Sequence, residues 1–263
     1  MLMIKHTFSV LDGVGERLEK KLWSEGVLTW DDFVREDPVP FISRQKSTVM
    51  KETILYFSEE LNRSNPEPFK SFLKQREHWR LFDTFRSDIV CLDIETNGLP
   101  PDRGGDVTVV GLYDCREWRY LIKGKNLTPE KLQDELSGYK LLVTFFGSSF
   151  DIPFLEKCFP GFRLRMPHFD ICYGARRVGL KGGLKKLEVS SGLSRAEDVQ
   201  GMNGYDAVLL WRRWLRGDSR ALELLLEYNR EDTVNLLPLA ERIYKLLRAS
   251  TGIEGFLNGN GSS

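Results

Sequence analysis

Apolar and polar residues alternate along this chain in a way that predicts helices, then a sheet, then helices again. An apolar run of strand length covers residues 89–95 and ends in a turn signal. Two more runs with strand character, 107–113 and 117–122, are separated by a connection of hairpin length. A fourth run, 141–146, completes the predicted sheet. The order strand, hairpin, helix, strand, helix predicts an α/β fold in which helices flank a mixed sheet.

The helical segments are indicated by caps, turn residues and apolar spacing. Thr128-Pro129-Glu130 supplies a capping residue, a first-turn proline and an early acid, so a helix is predicted to begin there. Residues 219–247 carry leucines at helical spacing. Pro238 removes one backbone hydrogen bond within that stretch. We therefore expect a kink in the long helix near this proline.

Changes in composition divide the chain into four predicted parts. Residues 1–64 are expected to form a small helical domain that includes the turn Gly13-Val14-Gly15. Residues 65–86 form a connector whose aromatic side chains are expected to dock on the next domain. The sheet belongs to a domain at 87–248, and 249–263 has the composition of a flexible tail.

Bulk composition excludes several classes of protein. The 263 residues are 41% hydrophobic and 29% charged, values typical of a soluble globular protein. Lys and Arg total 38, as do Asp and Glu, so net charge gives no indication of a nucleic-acid partner. The four cysteines form no CxxC pair, which argues against a zinc site or a disulfide framework. No apolar run reaches the roughly 18–20 residues of a membrane span. We therefore expect a cytoplasmic protein that does not enter a membrane.

Two carboxylates close the first predicted strand. Asp93 and Glu95 are two residues apart, so on a strand they share one face. Acids held side by side repel one another and lose hydration, and a bound divalent cation such as Mg²⁺ or Mn²⁺ compensates for both effects. The alternative is a strand end whose acids face water, and this pattern alone does not separate the two.

Two later motifs also carry acids. Phe150-Asp151 stands at a predicted helix start, and Tyr228 and Asp232 are four residues apart and share one helix face. Two further acids receive structural interpretations. Asp170 is expected to accept hydrogen bonds, and Glu188 to be a surface or salt-bridge residue.

Positive charge is concentrated between residues 163 and 186. Glycines stand beside lysines at 179–186, and such a backbone can approach phosphates closely. Arg176, Lys181 and Lys185 are the candidate nucleic-acid contacts of this region. The alternative is a solvated loop whose charge is balanced by acids elsewhere.

The three acidic motifs together resemble the exonuclease motifs of the DEDD group in the ribonuclease-H-like superfamily. The tyrosine four residues before the last aspartate is the mark of the DEDDy subgroup. Most of the chain, from about residue 7 to 247, is similar to the YprB-like family of predicted 3′–5′ exonucleases. The stretches that carry this similarity are 92–99, 144–154, 182–188 and 228–236. The turn Gly13-Val14-Gly15 resembles the hairpin of a helix-hairpin-helix motif.

This resemblance implies a metal-dependent 3′–5′ exonuclease that hydrolyses DNA or RNA from a single-stranded 3′ end. It also implies two Mg²⁺ or Mn²⁺ ions, held by Asp93, Glu95, Asp151 and Asp232. Tyr228 would orient the attacking water or help to deprotonate it. A catalytically weak nucleic-acid-binding module and an endonuclease with the same metal site are the alternatives.

One position departs from the family pattern. The second motif commonly reads Asn-Gly-x-x-Phe-Asp, and here Phe146 occupies the position of the Asn. Phenylalanine cannot donate a hydrogen bond to the substrate, but it can stack on a base. The expected nucleic-acid contacts are Thr96, Asn97, Phe146, Phe150, Arg176, Lys181 and Lys185, with the backbone of Gly13 and Gly15.

Overall fold

A five-stranded sheet forms the centre of the computed structural model, which describes residues 2–259. Its strands are β1 (Ile89–Thr96), β2 (Val107–Tyr113), β3 (Trp118–Ile122), β4 (Leu141–Thr144) and β5 (His168–Asp170). They lie in the order β3-β2-β1-β4-β5. Strands β1, β2 and β3 pair antiparallel, whereas β4 pairs parallel with both β1 and β5. The predicted mixed sheet is confirmed.

Helices precede the sheet, connect its strands and follow it. Four come first: α1 (Glu16–Ser24), α2 (Trp30–Arg35), α3 (Arg44–Asn62) and α4 (Glu67–Phe72). The others are α5 (Pro129–Ser137), α6 (Asp151–Cys158), α7 (Ile171–Arg177), α8 (Leu184–Ser190), α9 (Gly204–Trp214), α10 (Ser219–Val234), α11 (Leu236–Thr251) and α12 (Ile253–Leu257). Within residues 2–259, none is both long enough and apolar enough to cross a membrane.

Capping residues set the predicted helix starts. The Thr128 side chain accepts a hydrogen bond from the backbone N–H of Lys131, and Pro129 is the first residue of α5. This satisfies one of the N–H groups that a helix start leaves unpaired. The helix predicted from Thr128-Pro129-Glu130 is confirmed.

Strand β1 separates two hydrophobic clusters because its side chains alternate between the faces of the sheet. Val90, Leu92 and Ile94 belong to a cluster that α5 and α6 complete. Ile89 and Cys91 belong to a cluster that α11 and the amino-terminal helices complete. Asp93 and Glu95 continue the series of Ile89 and Cys91, so strand alternation directs both carboxylates to the same side of the sheet.

The amino-terminal helices and the sheet share one hydrophobic core. The cluster that contains Cys91 continues through the connector to Trp30 and Phe57. Within the connector, the Trp79 ring lies 5.9 Å from that of Tyr244 in α11. The expected docking of the connector's aromatics on the sheet domain is therefore observed. The proposed boundaries at residues 64 and 86 stay predictions.

The carboxyl-terminal end is helical where the sequence predicts a flexible tail. Helix α11 continues to Thr251, Gly252 adopts a left-handed conformation, and α12 follows. Ile253 is fully buried, and the Phe256 ring lies 6.1 Å from that of Trp23. The tail prediction is wrong as far as residue 259, because these two apolar side chains have partners in α1 and the core. Residues 260–263 lie outside the described part of the chain.

The predicted long helix is interrupted at Asn235, which ends α10 and precedes α11. Pro238 is the third residue of α11 and has no N–H to bond the carbonyl of residue 234. The expected disturbance near Pro238 is thus observed as a break between two helices. It lies three residues beyond Asp232.

Candidate metal centre

Three of the predicted carboxylates meet at the end of β1. Helix α10 packs across β1 and β2 and brings Asp232 to the face that carries Asp93 and Glu95. Each of the three offers a carboxylate oxygen, and these oxygens lie within 4.8 Å of one another. Residues 137 positions apart in sequence are therefore close enough to share one ion. We call these three residues the carboxylate cluster.

Burial and mutual repulsion perturb the carboxylate cluster. Burial raises the pKa of Asp93 and of Glu95 well above the usual values, and the charge of Asp232 raises both further. The Oε1 atom of Glu95 is buried and, among residues 2–259, has no hydrogen-bond partner. Carboxylate oxygens are the ligands that Mg²⁺ and Mn²⁺ prefer, and a divalent ion would offset the repulsion. The cluster therefore fits a divalent cation.

Asp151 lies beside the carboxylate cluster rather than within it. It is the first residue of α6, and its Oδ1 accepts a hydrogen bond of 3.2 Å from the backbone N–H of Ile94. Burial raises the pKa of Asp151 to about 7. Its charge contributes to the raised pKa of both Asp93 and Glu95, so it is electrostatically part of the site.

Asn229 orients Asp93 and is a site residue that the sequence motifs do not reveal. Its Nδ2 donates a 3.0 Å hydrogen bond to Oδ2 of Asp93. Gly111, which faces Asp93 across the β1–β2 pair, makes room for this amide. A Cβ on Gly111 would lie 2.1 Å from Oδ1 of Asn229. The one sequence signal for Asn229 was its position directly after the motif residue Tyr228. Its contact with Asp93, however, depends on how α10 crosses the sheet.

Arg195 is a second site residue without a sequence signal. It lies between α8 and α9, forms an ion pair with Asp232, and donates hydrogen bonds of 2.8 and 2.7 Å to Glu188. Glu188 is 1% exposed and also accepts a bond from Asn235. The salt-bridge interpretation of Glu188 is confirmed, whereas a surface position is wrong. Burial became possible because Arg195 and Asn235 supply its partners.

Tyr228 is buried between the carboxylate cluster and two cations. The Nζ of Lys185 lies 5.0 Å from the centre of its ring, and the guanidinium of Arg195 lies 5.8 Å away. Burial raises the pKa of Tyr228, and the charge of Asp232 raises it further. The phenol therefore stays protonated in this environment. Lys185 is thus placed over the tyrosine ring, and its predicted contact with nucleic acid stays a prediction.

A cavity of about 660 Å³ opens over the carboxylate cluster. Besides the three acids it is lined by Thr96, Phe150 and Tyr228. The Phe150 side chain is 44% exposed. Two of the predicted nucleic-acid contacts, Thr96 and Phe150, thus border the same space as the candidate ligands.

Phe146 is held in a strained conformation by Asp170. Its φ is +66°, a left-handed value that non-glycine residues rarely adopt. The Asp170 carboxylate accepts hydrogen bonds from the N–H groups of Phe146 and Ser148, at 2.9 and 3.0 Å. Strand β4 ends at Thr144, two residues short of the predicted end, because the chain turns here. The hydrogen-bonding role expected of Asp170 is confirmed.

An aromatic surface with one cation lies next to this turn. The Phe146 and Tyr173 rings stack at 6.0 Å with an interplanar angle of 29°, and Phe146 is 39% exposed. The Arg176 guanidinium lies over both rings, at 5.9 and 5.2 Å. Ser149 lines the cavity beside Tyr173 and Arg176 and also the cavity over the carboxylates. Phe146 and Arg176 are predicted nucleic-acid contacts and stay predictions, whereas Tyr173 was not among the predicted residues.

Four other predicted contacts do not line the carboxylate cavity. The Asn97 side chain accepts hydrogen bonds from the N–H groups of Leu99 and Asp106, so it fixes the loop after β1. Lys181 is exposed between α7 and α8. Gly13 and Gly15 precede α1 in the amino-terminal unit, where Gly13 has a φ of +76°.

A family model matches the part of the chain that begins in β1 and ends in α11. The family model described as the RNase_H superfamily matches residues 90–244, more than half of the chain. No curated protein matches the sequence significantly. One similar structure, described as "apo form of the nuclease", is 19% identical, with a TM-score of 0.46 over 67% of this chain and 79% of that chain. A second, Brucella melitensis NrnC bound to pGG, is 19% identical, with a TM-score of 0.44 over 68% and 81%.

Proposed function

The chain belongs to the RNase H superfamily, and from that premise we propose that it is a metal-dependent nuclease that hydrolyses phosphodiester bonds. The finer proposal is a 3′–5′ exonuclease of the DEDDy type, similar to the YprB-like family. One observation carries it: carboxylate oxygens of Asp93, Glu95 and Asp232 lie within 4.8 Å of one another. Asp151 and Tyr228, the other members of that motif set, are their neighbours.

Four acids are proposed to hold two Mg²⁺ or Mn²⁺ ions: Asp93, Glu95, Asp151 and Asp232. When bound, the ions activate water and stabilise the leaving 3′ oxygen. The protein contributes by keeping the ligands in place. Asn229 fixes the Asp93 carboxylate, and the N–H of Ile94 fixes that of Asp151. Partners of this kind orient ligands before a metal arrives.

Tyr228 is proposed to orient the attacking water by donating a hydrogen bond. The residue lines the cavity over the carboxylates and shares a helix face with Asp232. In the metal-free protein its raised pKa keeps the hydroxyl proton in place, so the phenol can donate this hydrogen bond.

Nucleic acid is proposed to approach across the loop that contains Ser149. Phe146 and Tyr173 offer exposed aromatic faces on which unpaired bases can stack, and Arg176 offers a charge for phosphate. Phe150 and Thr96 border the reacting end.

In the proposed domain scheme this exonuclease domain covers residues 87–248. The helix-hairpin-helix-like unit at 1–64 would contact phosphate through Gly13 and Gly15, and Lys181 would do so from its exposed loop.

A screen of single-stranded DNA and RNA labelled at either end, with Mn²⁺ or Mg²⁺, tests the proposal. We expect progressive shortening from the 3′ end. Asp93→Asn and Asp232→Asn should lower the rate at least about a thousandfold, because a metal ion supplies several kcal/mol of transition-state stabilisation. Circular dichroism should show that both variants are folded. Asp102→Asn removes an exposed loop acid and is the matched control.

The same screen separates the alternatives. Cleavage of a circular single strand identifies an endonuclease, since a circle has no end. Binding of the strands without hydrolysis under any metal condition identifies a binding module. The nuclease proposal fails if no substrate is degraded, or if Asp93→Asn hydrolyses as fast as the unchanged protein.

A further inference from the structure

Arg195 places a permanent positive charge directly on one of the proposed metal ligands. Its guanidinium forms an ion pair with Oδ1 of Asp232, and its side chain is 6% exposed. Arginine stays protonated in proteins, so this charge does not depend on pH. The carboxylate cluster therefore contains a cation supplied by the chain itself.

Three elements of the fold hold Arg195 in this position. Glu188 of α8 accepts two hydrogen bonds from the guanidinium, at 2.8 and 2.7 Å. Asn235, between α10 and α11, donates a 3.0 Å hydrogen bond to the same carboxylate. Asp232 comes from α10. A buried, bidentate arrangement of this kind is geometrically specific rather than a chance surface contact.

A divalent ion and Arg195 compete for the charge of Asp232. A carboxylate has two oxygens, so both cations can contact it, but they then repel each other across a short distance in a poorly hydrated site. Without any cation, in contrast, the three acids of the cluster repel one another. In the metal-free protein, the positive charge of Arg195 relieves that repulsion. The same charge repels a divalent ion and therefore opposes metal binding.

We propose that Arg195 is a positioning residue that acts as the built-in counter-cation of Asp232. It keeps the carboxylate cluster assembled before metal binds, and it weakens the affinity of the cluster for the metal. This inference rests on the proposed function in one respect, that the cluster binds a divalent ion. It adds that the metal affinity is set by a residue outside the three acidic motifs.

Lys185 provides a matched comparison for Arg195. It carries the same charge as Arg195. Burial lowers the pKa of Lys185, and the negative charge of Asp232 opposes that shift. Its Nζ faces the Tyr228 ring at 5.0 Å, and within residues 2–259 it has no ion pair with Asp232. Replacing Lys185 therefore removes an equal charge near the cluster without removing the contact.

Titration of Mn²⁺, followed by electron paramagnetic resonance, tests the inference on the full chain. Arg195→Gln should bind Mn²⁺ about 10- to 100-fold more tightly than the unchanged protein, because it removes the repulsion between the guanidinium and the ion at short distance. Lys185→Gln should raise the Mn²⁺ affinity by less than about threefold, because Lys185 does not contact the ligand. The Mn²⁺ affinity of Arg195→Lys should stay close to that of the unchanged protein, because the charge is kept.

Thermal unfolding supplies an independent readout. Without metal, Arg195→Gln should melt at a lower temperature, because Asp232 and Glu188 are left buried without their cation. Mn²⁺ should raise this melting temperature more than that of the unchanged protein. The double variant Glu188→Gln with Arg195→Gln no longer carries an unpaired acid at position 188. The double variant is measured in place of Arg195→Gln if the single variant does not fold.

The possible outcomes separate this inference from the proposed function. Tighter Mn²⁺ binding in Arg195→Gln than in Lys185→Gln supports the inference. Equal affinities in the unchanged protein and Arg195→Gln overturn it, as does equal tightening in both glutamine variants, and the proposed function is then untouched. If neither the unchanged protein nor Arg195→Gln binds Mn²⁺, the proposed metal centre fails together with the inference.

Discussion

Two buried clusters of charge in this protein contain the same chemical groups and differ in how completely they are paired. In the first, Arg80 of the connector donates hydrogen bonds of 2.8 Å to Glu77, 2.9 Å to Glu19 and 3.2 Å to Thr7. The other oxygen of Glu19 accepts a 2.7 Å bond from the N–H of Phe8. This cluster joins the amino-terminal unit to the connector, and we call it the Arg80 cluster.

The carboxylate cluster is compensated only in part. Arg195 pairs with Asp232, and Asn229 donates a hydrogen bond to Asp93, but the three acids repel one another. Within residues 2–259, Oε1 of Glu95 has no hydrogen-bond partner. Burial raises the pKa of Glu19 as it raises that of Asp93, but the neighbouring charge lowers the first and raises the second. Burial is thus shared by a structural site and a candidate ligand site. The sign of the neighbouring charge distinguishes them.

The largest expected effect breaks the Arg80 cluster. Arg80→Leu leaves Glu19 buried without its cation, whereas Glu77 keeps its ion pairs with Arg76 and Arg177. The free energy of unfolding should fall by about 3–5 kcal/mol. Urea denaturation measures this change. Arg35→Leu, which removes an arginine whose side chain is 75% exposed, should change stability by less than about 1 kcal/mol. Equal effects of the two replacements would contradict the assignment of Arg80 as a structural cation.

A smaller effect is expected from crowding the carboxylate cluster. A Cβ at Gly111 would meet the side chains of Asn229 and Thr233 at 2.1 and 2.5 Å. Gly111→Ala should lower stability by about 1–3 kcal/mol through overpacking. Because Asn229 orients Asp93, Mn²⁺ affinity should also fall about 10- to 100-fold. Gly138→Ala is the control, since a Cβ there meets no atom within 4 Å. Unchanged Mn²⁺ affinity in Gly111→Ala would remove Asn229 from the site.

Neutralising one acid of the carboxylate cluster should raise the free energy of unfolding, whereas breaking the Arg80 cluster should lower it. Glu95→Gln removes a repulsive charge whose pKa is raised in the folded state. Without metal at pH 8, the free energy of unfolding should rise by about 1 kcal/mol, the equivalent of less than one pKa unit of relief. Asp102→Asn serves again as the exposed control. A loss of stability in Glu95→Gln would show that the charge of Glu95 is fully compensated in the folded protein.

The smallest expected effect is a pH dependence of the metal-free protein. A carboxyl whose pKa is raised on folding stabilises the protein while it is protonated, and this contribution is lost as pH rises through the folded-state pKa. For Asp151 that pKa is about 7. Burial lowers the pKa values of His6, His78 and His168, those of the last two to about 4, so these histidines make stability rise with pH until about one unit above their unfolded-state pKa of about 6.5. A comparison with Asp151→Asn, which keeps the histidines, isolates the contribution of the carboxyl.

Between pH 6.5 and 8 the free energy of unfolding of the unchanged protein should therefore fall relative to that of Asp151→Asn, by less than about 1 kcal/mol. Urea denaturation of both proteins at closely spaced pH values detects this difference, and saturating Mn²⁺ should reverse its sign. A difference that does not change over this interval would mean that Asp151 is already ionised in the folded protein.

Local pattern was sufficient for strands β1 to β4 and for the acidic motifs, but it did not reveal β5, whose three residues are too few to show a strand pattern. Strand alternation predicted that Asp93 and Glu95 share a face, and helical spacing predicted the same for Tyr228 and Asp232. Both relations lie within one element, where backbone geometry fixes which side chains are neighbours. The tail prediction failed because its contacts are distant in sequence. Composition indicated flexibility, while Ile253 is buried in the core and Phe256 packs on Trp23, more than 200 residues earlier in the chain.

By itself, then, the sequence determined the mixed sheet, the positions of the candidate ligands and the chemistry they favour. The tertiary structure alone decided that Asn229 holds Asp93, that Asp151 stands beside the cluster, and that Arg195 and Glu188 are buried against Asp232. These contacts join separate elements. They depend on strand register and on how α10 crosses the sheet, neither of which is encoded in the spacing of residues along a single strand or helix.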